Sequence, residues 1–249
     1  MNINNLLRDY TQWVKSNYNM KNMSIFEEYV YYHSVFDATT FLVQHMDLSE
    51  EDMFIAQTIA IVHHCAVFRK INFSLANGNH AKEGSLLLQQ SLLKLLLPET
   101  RRLDYIITQS VFNHHRTKFE NDTTPRVVLH SKLLQLAIKL TMLNKYIRNL
   151  EHTVQTNGNI PLSLTIEVKQ ALKTSTPISF SLVQNDLDML AFQLGIVNSS
   201  TPQAALKFIQ HNGYIERLTN AFLKCYPLCN KVDIELIKHT ANTTLLSLV

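Results

Sequence analysis

Apolar residues recur at intervals of three and four along most of the chain, which is the spacing that places them on one face of an α-helix. This pattern predicts helices over 25–46, 50–70, 80–96, 98–115, 126–150, 162–173 and 202–211. The chain has only 5 glycines and 6 prolines among its 249 residues, whereas a sheet protein with many tight turns usually needs more glycine. We therefore expect an all-α protein.

Local signals mark where some of these helices begin and where the chain divides. The segments "SIFE" at 24–27 and "SEED" at 49–52 place a serine three residues before an acidic residue, the arrangement called a capping box. The polar segment "QTNGNIP" at 155–161 interrupts the helical pattern. We expect the whole chain to form a single domain, with a helical core over about 24–150 and a C-terminal helical extension over about 151–249.

Charge and hydropathy exclude several classes of partner. The formal net charge is +3, and the basic residues form no run of five or more, so we expect no nucleic-acid surface. No apolar run is long enough to cross a membrane, and the N-terminus lacks the apolar stretch of a signal peptide. The three cysteines do not provide two pairs for a structural zinc site. The sequence thus predicts a cytoplasmic protein with no membrane partner.

The chain contains 11 histidines, and several of them follow one another along the predicted helices. A histidine on an apolar helix face is commonly a hydrogen-bonded core residue, since buried polar groups find partners. Adjacent helical residues also point about 100° apart, so the pairs at 63–64 and 114–115 would rarely face one cavity. The sequence is therefore compatible with two interpretations of these histidines: ordinary core residues or ligands of a metal ion.

The order and spacing of these histidines resemble those of the HD superfamily of metal-dependent phosphohydrolases. The resemblance covers roughly residues 5 to 225. Its motifs are "YHSVFDA" at 32–38, "IVHHCAVF" at 61–68, "NHAKEGSLLL" at 79–88, "VFNHHRTK" at 111–118 and "LLQLAIKLTML" at 133–143. It implies an HD-domain helical bundle in which the first histidine, a His-Asp pair and a distal aspartate hold a metal that activates water for phosphate-ester hydrolysis.

The resemblance implies a metal site at His33, His63 and His64, with two departures from the family pattern. His64 stands where the family has the paired aspartate, and Ile138 stands where it has the distal one. Two anionic ligands are therefore lost, and the imidazole that replaces one of them is a neutral, softer donor that suits zinc. A bound divalent cation, either Zn²⁺, Mn²⁺ or iron, is therefore a possible cofactor, on which the sequence alone does not decide.

Two carboxylates are candidates for catalysis or for replacing a lost metal ligand. Asp37 lies four residues after His33, and Glu83 lies three residues after His80, so each pair shares a helix face. The alternatives are that Asp37 only orients His33 and that Glu83 is a solvated charge near a helix start.

Further histidines and basic residues near these motifs predict a pocket for a nucleotide or another phosphorylated small molecule. The residues are His80, His114, His115, Arg69, Lys70, Arg116 and Lys118. For the four basic residues, ordinary solvated surface is the alternative.

Three functions stay open at this stage. The first is a degenerate, catalytically impaired phosphohydrolase-like protein that still binds a phosphorylated ligand. The second is an active metal-dependent phosphohydrolase with an altered, histidine-rich site. The third is a helical interaction or scaffold protein, in which the leucine-rich segment 85–98 packs against a partner or a second copy of the chain.

Overall fold

The computed structural model describes residues 2–73, 79–98, 101–116, 118–153, 161–198 and 201–246. Within these ranges every regular element is helical and no strand occurs, so the prediction of an all-α protein is confirmed. None of the helices described is long and apolar enough to cross a lipid bilayer. The chain divides into two compact units, Met1–Thr141 and Met142–Val249. The division falls earlier than the expected boundary near residue 150, inside a long helix.

Among the residues described, the first unit holds eight α-helices, the last of which continues into the second unit. They are α1 (Ile3–Asn17), α2 (Met23–Gln44), α3 (Glu50–Val62), α4 (Cys65–Phe73), α5 (His80–Leu87), α6 (Leu93–Leu96), α7 (Asp104–Asn113) and α8 (Pro125–His152), with a π-helical turn at Leu88–Leu92 and a 3₁₀ turn at Arg101–Leu103. Helix α2 packs along α3, and α3 also contacts α1 and α7. Helix α5 contacts both α4 and α7. Helices α3, α4, α5 and α7 are thereby brought together.

Of the two serines predicted to cap a helix, Ser49 does so, although its hydroxyl rather than its backbone amide bonds to the Asp52 carboxylate. The Ser49 hydroxyl oxygen accepts a hydrogen bond from the Asp52 amide at 3.1 Å, and the hydroxyl donates to the Asp52 carboxylate at 2.6 Å. The prediction for Ser24 was wrong, because α2 begins at Met23 and the side chain of Asn22 accepts from the Ser24 amide. Asparagine is as good a cap as serine, so the earlier residue starts the helix.

Two predicted helices are interrupted. The helix expected over 50–70 breaks at His63 and His64, which form a turn between α3 and α4. The helix expected over 80–96 contains the π-helical turn at Leu88–Leu92. The helical segments before and after each interruption bury apolar residues, so the apolar spacing continues across it. The periodicity of the sequence therefore did not reveal either interruption.

The leucine-rich segment 85–98 contributes mainly to the core. Its buried side chains include Leu88, Leu92, Leu93 and Leu97, whereas Leu86 and Leu95 are 44% and 65% exposed. A partner surface here would therefore offer two separate leucines rather than the whole segment.

In the described part of the second unit, the end of α8 is followed by five further α-helices. They are α9 (Ile166–Lys173), α10 (Asp186–Leu194), α11 (Gln203–His211), α12 (Tyr214–Cys225) and α13 (Lys231–Leu246), with a 3₁₀ turn at Phe180–Leu182. The prediction that a helix begins at 162 was wrong by four residues. Two buried carboxylates bind the backbone before α9: Asp233 accepts from the Leu164 amide at 2.9 Å, and Asp188 accepts from the Thr165 amide at 3.0 Å. These bonds hold the segment outside the helix.

Candidate metal centre

Five histidines from three places in the sequence lie together in the first unit. His63 and His64 form the turn between α3 and α4, His80 begins α5, and His114 and His115 follow the last residue of α7. The ring centroids are 4.2 Å apart for the first pair and 3.8 Å apart for the last. Both pairs lie where the chain leaves a helix, so the 100° divergence expected within a helix does not separate their rings.

Three of these histidines form a group that could hold a metal ion. His64, His80 and His114 each offer a ring nitrogen, and the three nitrogens lie within 4.8 Å of one another. Nitrogen ligands of tetrahedral Zn²⁺, each about 2.0 Å from the metal, are about 3.3 Å apart. The group is therefore gathered before metal binding, and its side chains need to move inward only modestly.

Hydrogen bonds to the backbone orient two of the imidazoles. The Nδ1–H of His63 donates to the Ala60 carbonyl at 2.8 Å, and the Nδ1–H of His114 donates to the Val111 carbonyl at 2.5 Å. A carbonyl can only accept, so Nε2 of each ring carries the lone pair. Both Nε2 atoms are buried with no hydrogen-bond partner among the described residues. A buried acceptor without a partner is costly, and a cation would satisfy it.

Glu28 orients the third imidazole. Its Oε2 accepts a hydrogen bond from Nδ1–H of His64 at 2.8 Å, which directs the lone pair of Nε2 away from α2. Metal-binding histidines typically make such a second bond to a carboxylate or a carbonyl. Tyr31, one turn after Glu28, stacks on the His64 ring at 4.9 Å. The sequence did not single out Glu28, which lies outside every motif quoted above.

The imidazoles of this cluster are neutral at neutral pH. Burial lowers the pKa of His114 to about 2 and that of His64 to about 3, and the neighbouring histidines lower both further. Burial also lowers the pKa of His63 well below its usual value. Neutral imidazole nitrogens are the donors that zinc favours, whereas magnesium and calcium favour oxygen.

His115 lies next to the three candidate ligands and could become a fourth. Its Nε2 lies 2.7 Å from Nε2 of His80, so one ring donates a proton to the other. His115 is exposed at the protein surface, whereas His114 is buried. A metal bound to Nε2 of His80 would replace this hydrogen bond, and His115 would then be close enough to reach the ion.

Comparisons with protein-family models, with curated proteins and with solved structures returned no match to this chain. The HD-type resemblance therefore stays a hypothesis, and the functional argument depends on the geometry of the centre.

His33, which the sequence predicts to share a metal site with His63 and His64, does not belong to the group of three histidines whose ring nitrogens lie within 4.8 Å of one another. Its ring contacts Tyr29 and Tyr32, at centroid distances of 4.8 and 4.4 Å. On α2, Tyr31 faces His64, and two further residues rotate the His33 side chain by about 200° from it. Burial lowers the pKa of His33, and nearby Asp37 raises it by a smaller amount.

The structure brings one of the four predicted phosphate-binding cations to the centre. Lys70 pairs with Glu83 at 3.4 Å, and both act on the pKa of His80, for which burial is the main cause of a decrease. Glu83 is thereby placed near the centre, as part of an ion pair. The other three cations have different surroundings: Arg69 is exposed and acts on the pKa of Tyr18, Arg116 covers the Phe112 ring at 4.5 Å and pairs with Glu120, and Lys118 is exposed.

We expect the substitution Glu28→Gln to weaken zinc binding by about 10- to 100-fold, the usual effect of losing a partner that orients a metal ligand. The amide can keep a hydrogen bond to His64 but removes the negative charge. Isothermal titration of the metal-free protein with Zn²⁺ measures the change. Glu27→Gln, on the exposed neighbouring residue, is the matched control. Equal affinities for the two variants would show that Glu28 does not support the centre.

Proposed function

We propose that this chain is a metal-binding protein of HD type that holds a zinc-class divalent cation at His64, His80 and His114 and has little or no phosphohydrolase activity. The observation that supports this proposal is the convergence of three ring nitrogens, with a carboxylate holding Nδ1 of His64 and a carbonyl holding Nδ1 of His114. Such a donor set favours zinc over magnesium.

Three protein nitrogens leave a coordination position for water or for a ligand oxygen. A bound cation would attract the phosphate oxygens of a nucleotide or another phosphorylated small molecule. The carboxylate of Glu28 offsets only part of a double positive charge, so an anionic ligand fits the centre electrostatically. Lys70 and Glu83 both act on the pKa of His80 and form an ion pair with each other, so together they add no net charge. For this reason the proposed function includes the phosphorylated small molecule that the sequence predicted as a ligand.

Weak hydrolysis follows from the positions of the carboxylates. A positioned side chain that receives a proton from the attacking water typically accelerates hydrolysis by about 100- to 10,000-fold. Glu28 accepts the hydrogen bond of His64, and Glu83 pairs with Lys70. Asp37 lies beside His33. Neither position 64 nor position 138, where the HD family has aspartates, supplies a carboxylate.

Direct titration with metals tests the proposal. We expect the metal-free protein to bind about one Zn²⁺ per chain and to bind Mg²⁺ at least 100-fold more weakly, because its donors are nitrogens. His114→Ala is expected to abolish tight zinc binding, whereas His239→Ala, at an exposed position, leaves it unchanged. Elemental analysis of protein purified without added metal complements the titration. Zinc binding that survives His114→Ala would contradict the assignment of the ligands.

An active hydrolase with an altered metal site is the second candidate, favoured by the open coordination position. The two functions differ in turnover. We expect less than about 1 phosphomonoester or nucleotide hydrolysed per second with Zn²⁺, Mn²⁺ or Fe²⁺, at or below the lower end of the usual enzyme range. Release of inorganic phosphate measures this. Turnover above that value, lost in His114→Ala, would establish the hydrolase instead.

A further inference from the structure

The second unit contains a cavity that is separate in sequence from the histidine cluster. Helices α9, α10 and α13 form its walls, together with the residues that follow α9. Several wall positions carry small residues: Ala171, Ala191, Gly195 and Ala241. Helices normally fill the space between them with interlocking side chains, and these four positions leave it open. The resulting space measures about 90 Å³, several times what one water molecule needs.

The remaining wall is apolar at its base and polar at one side. Leu172, Leu194 and Ile237 are buried, and they form part of the apolar lining. Ser175 and Thr176, which are exposed, lie on the side open to solvent. None of the lining residues that the structure describes carries a charge. A carboxylate or phosphate would therefore lose its hydration without gaining an opposite charge, so the cavity favours a neutral ligand.

A hydroxyl group of α13 indicates one polar group that the ligand can carry. The Thr240 hydroxyl donates its proton to the Leu236 carbonyl at 2.9 Å. A hydroxyl has only one proton, so toward the cavity the Thr240 oxygen can act only as an acceptor. A ligand that carries a hydrogen-bond donor complements it.

We propose that this cavity binds a small neutral molecule with a branched apolar group of about three or four carbons and one hydroxyl or amide donor. The size follows from the volume: an apolar cavity of roughly 150 Å³ holds benzene, and this space is smaller, so the ligand has fewer heavy atoms than benzene. The ligand places its apolar group between α9, α10 and α13 and its donor near Thr240. This site is independent of the metal proposed for the first unit.

Binding of 2-methylpropan-1-ol tests the proposal, followed by NMR of the methyl groups of the full chain. We expect a dissociation constant on the order of 1 mM, because a ligand of about five heavy atoms gains little free energy. Shifts should be confined to methyl groups that line the cavity. Two molecules with the same carbon skeleton serve as controls: 2-methylpropanoate carries a charge, and 1-methoxy-2-methylpropane lacks the donor. We expect both to bind at least tenfold more weakly.

Substitutions that fill the cavity provide the second arm of the test. Ala241→Leu places a larger side chain in the space and should reduce affinity for the alcohol at least tenfold. Thr243→Leu, two residues further along α13 and exposed, should not. If Ala241→Leu lacks the helical circular dichroism of the native chain, Ala171→Val fills the opposite wall. Equal binding of the three molecules, shifts outside the cavity, or full affinity in a folded cavity-filling variant would overturn the proposal.

Discussion

Between pH 6.5 and pH 4.5 the metal-free protein is expected to lose on the order of 5 kcal/mol of its free energy of unfolding, as an upper estimate, through two histidines alone. Burial lowers the pKa of His114 to about 2 and that of His64 to about 3. In the unfolded chain both return to about 6.5. Across this range the unfolded state binds protons that the folded state excludes, so stability decreases as the pH falls.

The direction of this effect follows from the lowered pKa values. Above pH 6.5 both states are neutral at these histidines and the stability is complete. Below pH 6.5 each histidine costs about 1.4 kcal/mol per pH unit until the pH reaches its folded-state pKa. His63, His80 and His115, whose pKa values burial also lowers, change stability in the same direction. The loss should therefore begin well above the range in which carboxylates titrate.

Urea unfolding at a series of pH values measures the loss. Replacing His64 by Gln should reduce the slope of stability against pH by about one proton, since one titrating group is removed. His239→Gln, at an exposed position of α13, should leave the slope unchanged. A protein whose stability is constant from pH 6.5 to pH 4.5 would show that the histidine cluster is accessible to protons in the folded state.

Asp233→Ala is expected to reduce the free energy of unfolding by about 3 kcal/mol, the lower part of the range for breaking a buried ion pair. One carboxylate oxygen accepts from the Leu164 amide at 2.9 Å, and the other pairs with Lys169 at 2.7 Å. The Asp233 side chain is 2% exposed and that of Lys169 is 36% exposed. Removing the carboxylate leaves a buried amide without its acceptor and a partly buried ammonium without its partner, whose solvation makes the lower value appropriate.

Two further variants serve as controls for this prediction. Asp233→Asn keeps an acceptor for the Leu164 amide and should cost less than Asp233→Ala. Glu235→Ala, on the exposed face of the same helix, should change stability by less than about 0.5 kcal/mol. Hydrogen exchange of the amides at 164 and 165, measured alongside urea unfolding, reports on the local contribution. Equal stability of Asp233→Ala and Glu235→Ala would show that the bonds of Asp233 add nothing net.

The sequence predicted the helical class and most helix positions because those depend on local interactions. Apolar spacing fixed the approximate ranges of α2, α8 and α11 to within one to three residues at each end. The Ser49 cap was also predictable, since its partner Asp52 lies only three residues away. The histidines that follow α3 and α7 and the one that begins α5 were recognised as candidates from the order of their motifs.

The sequence did not reveal which histidines meet. That depends on how α3, α4, α5 and α7 cross and on the turns at their ends, which local spacing does not encode. The apolar pattern predicted a continuous helix through residues 63 and 64. The structure has a turn there instead, and the turn brings the rings of His63 and His64 close together. Rotation around α2 turned His33 away from them while presenting Glu28, 36 residues before His64 in sequence. Residue types and helix periodicity thus determined the available metal ligands, whereas tertiary packing decided their grouping, since contacts between distant segments form only in the folded chain.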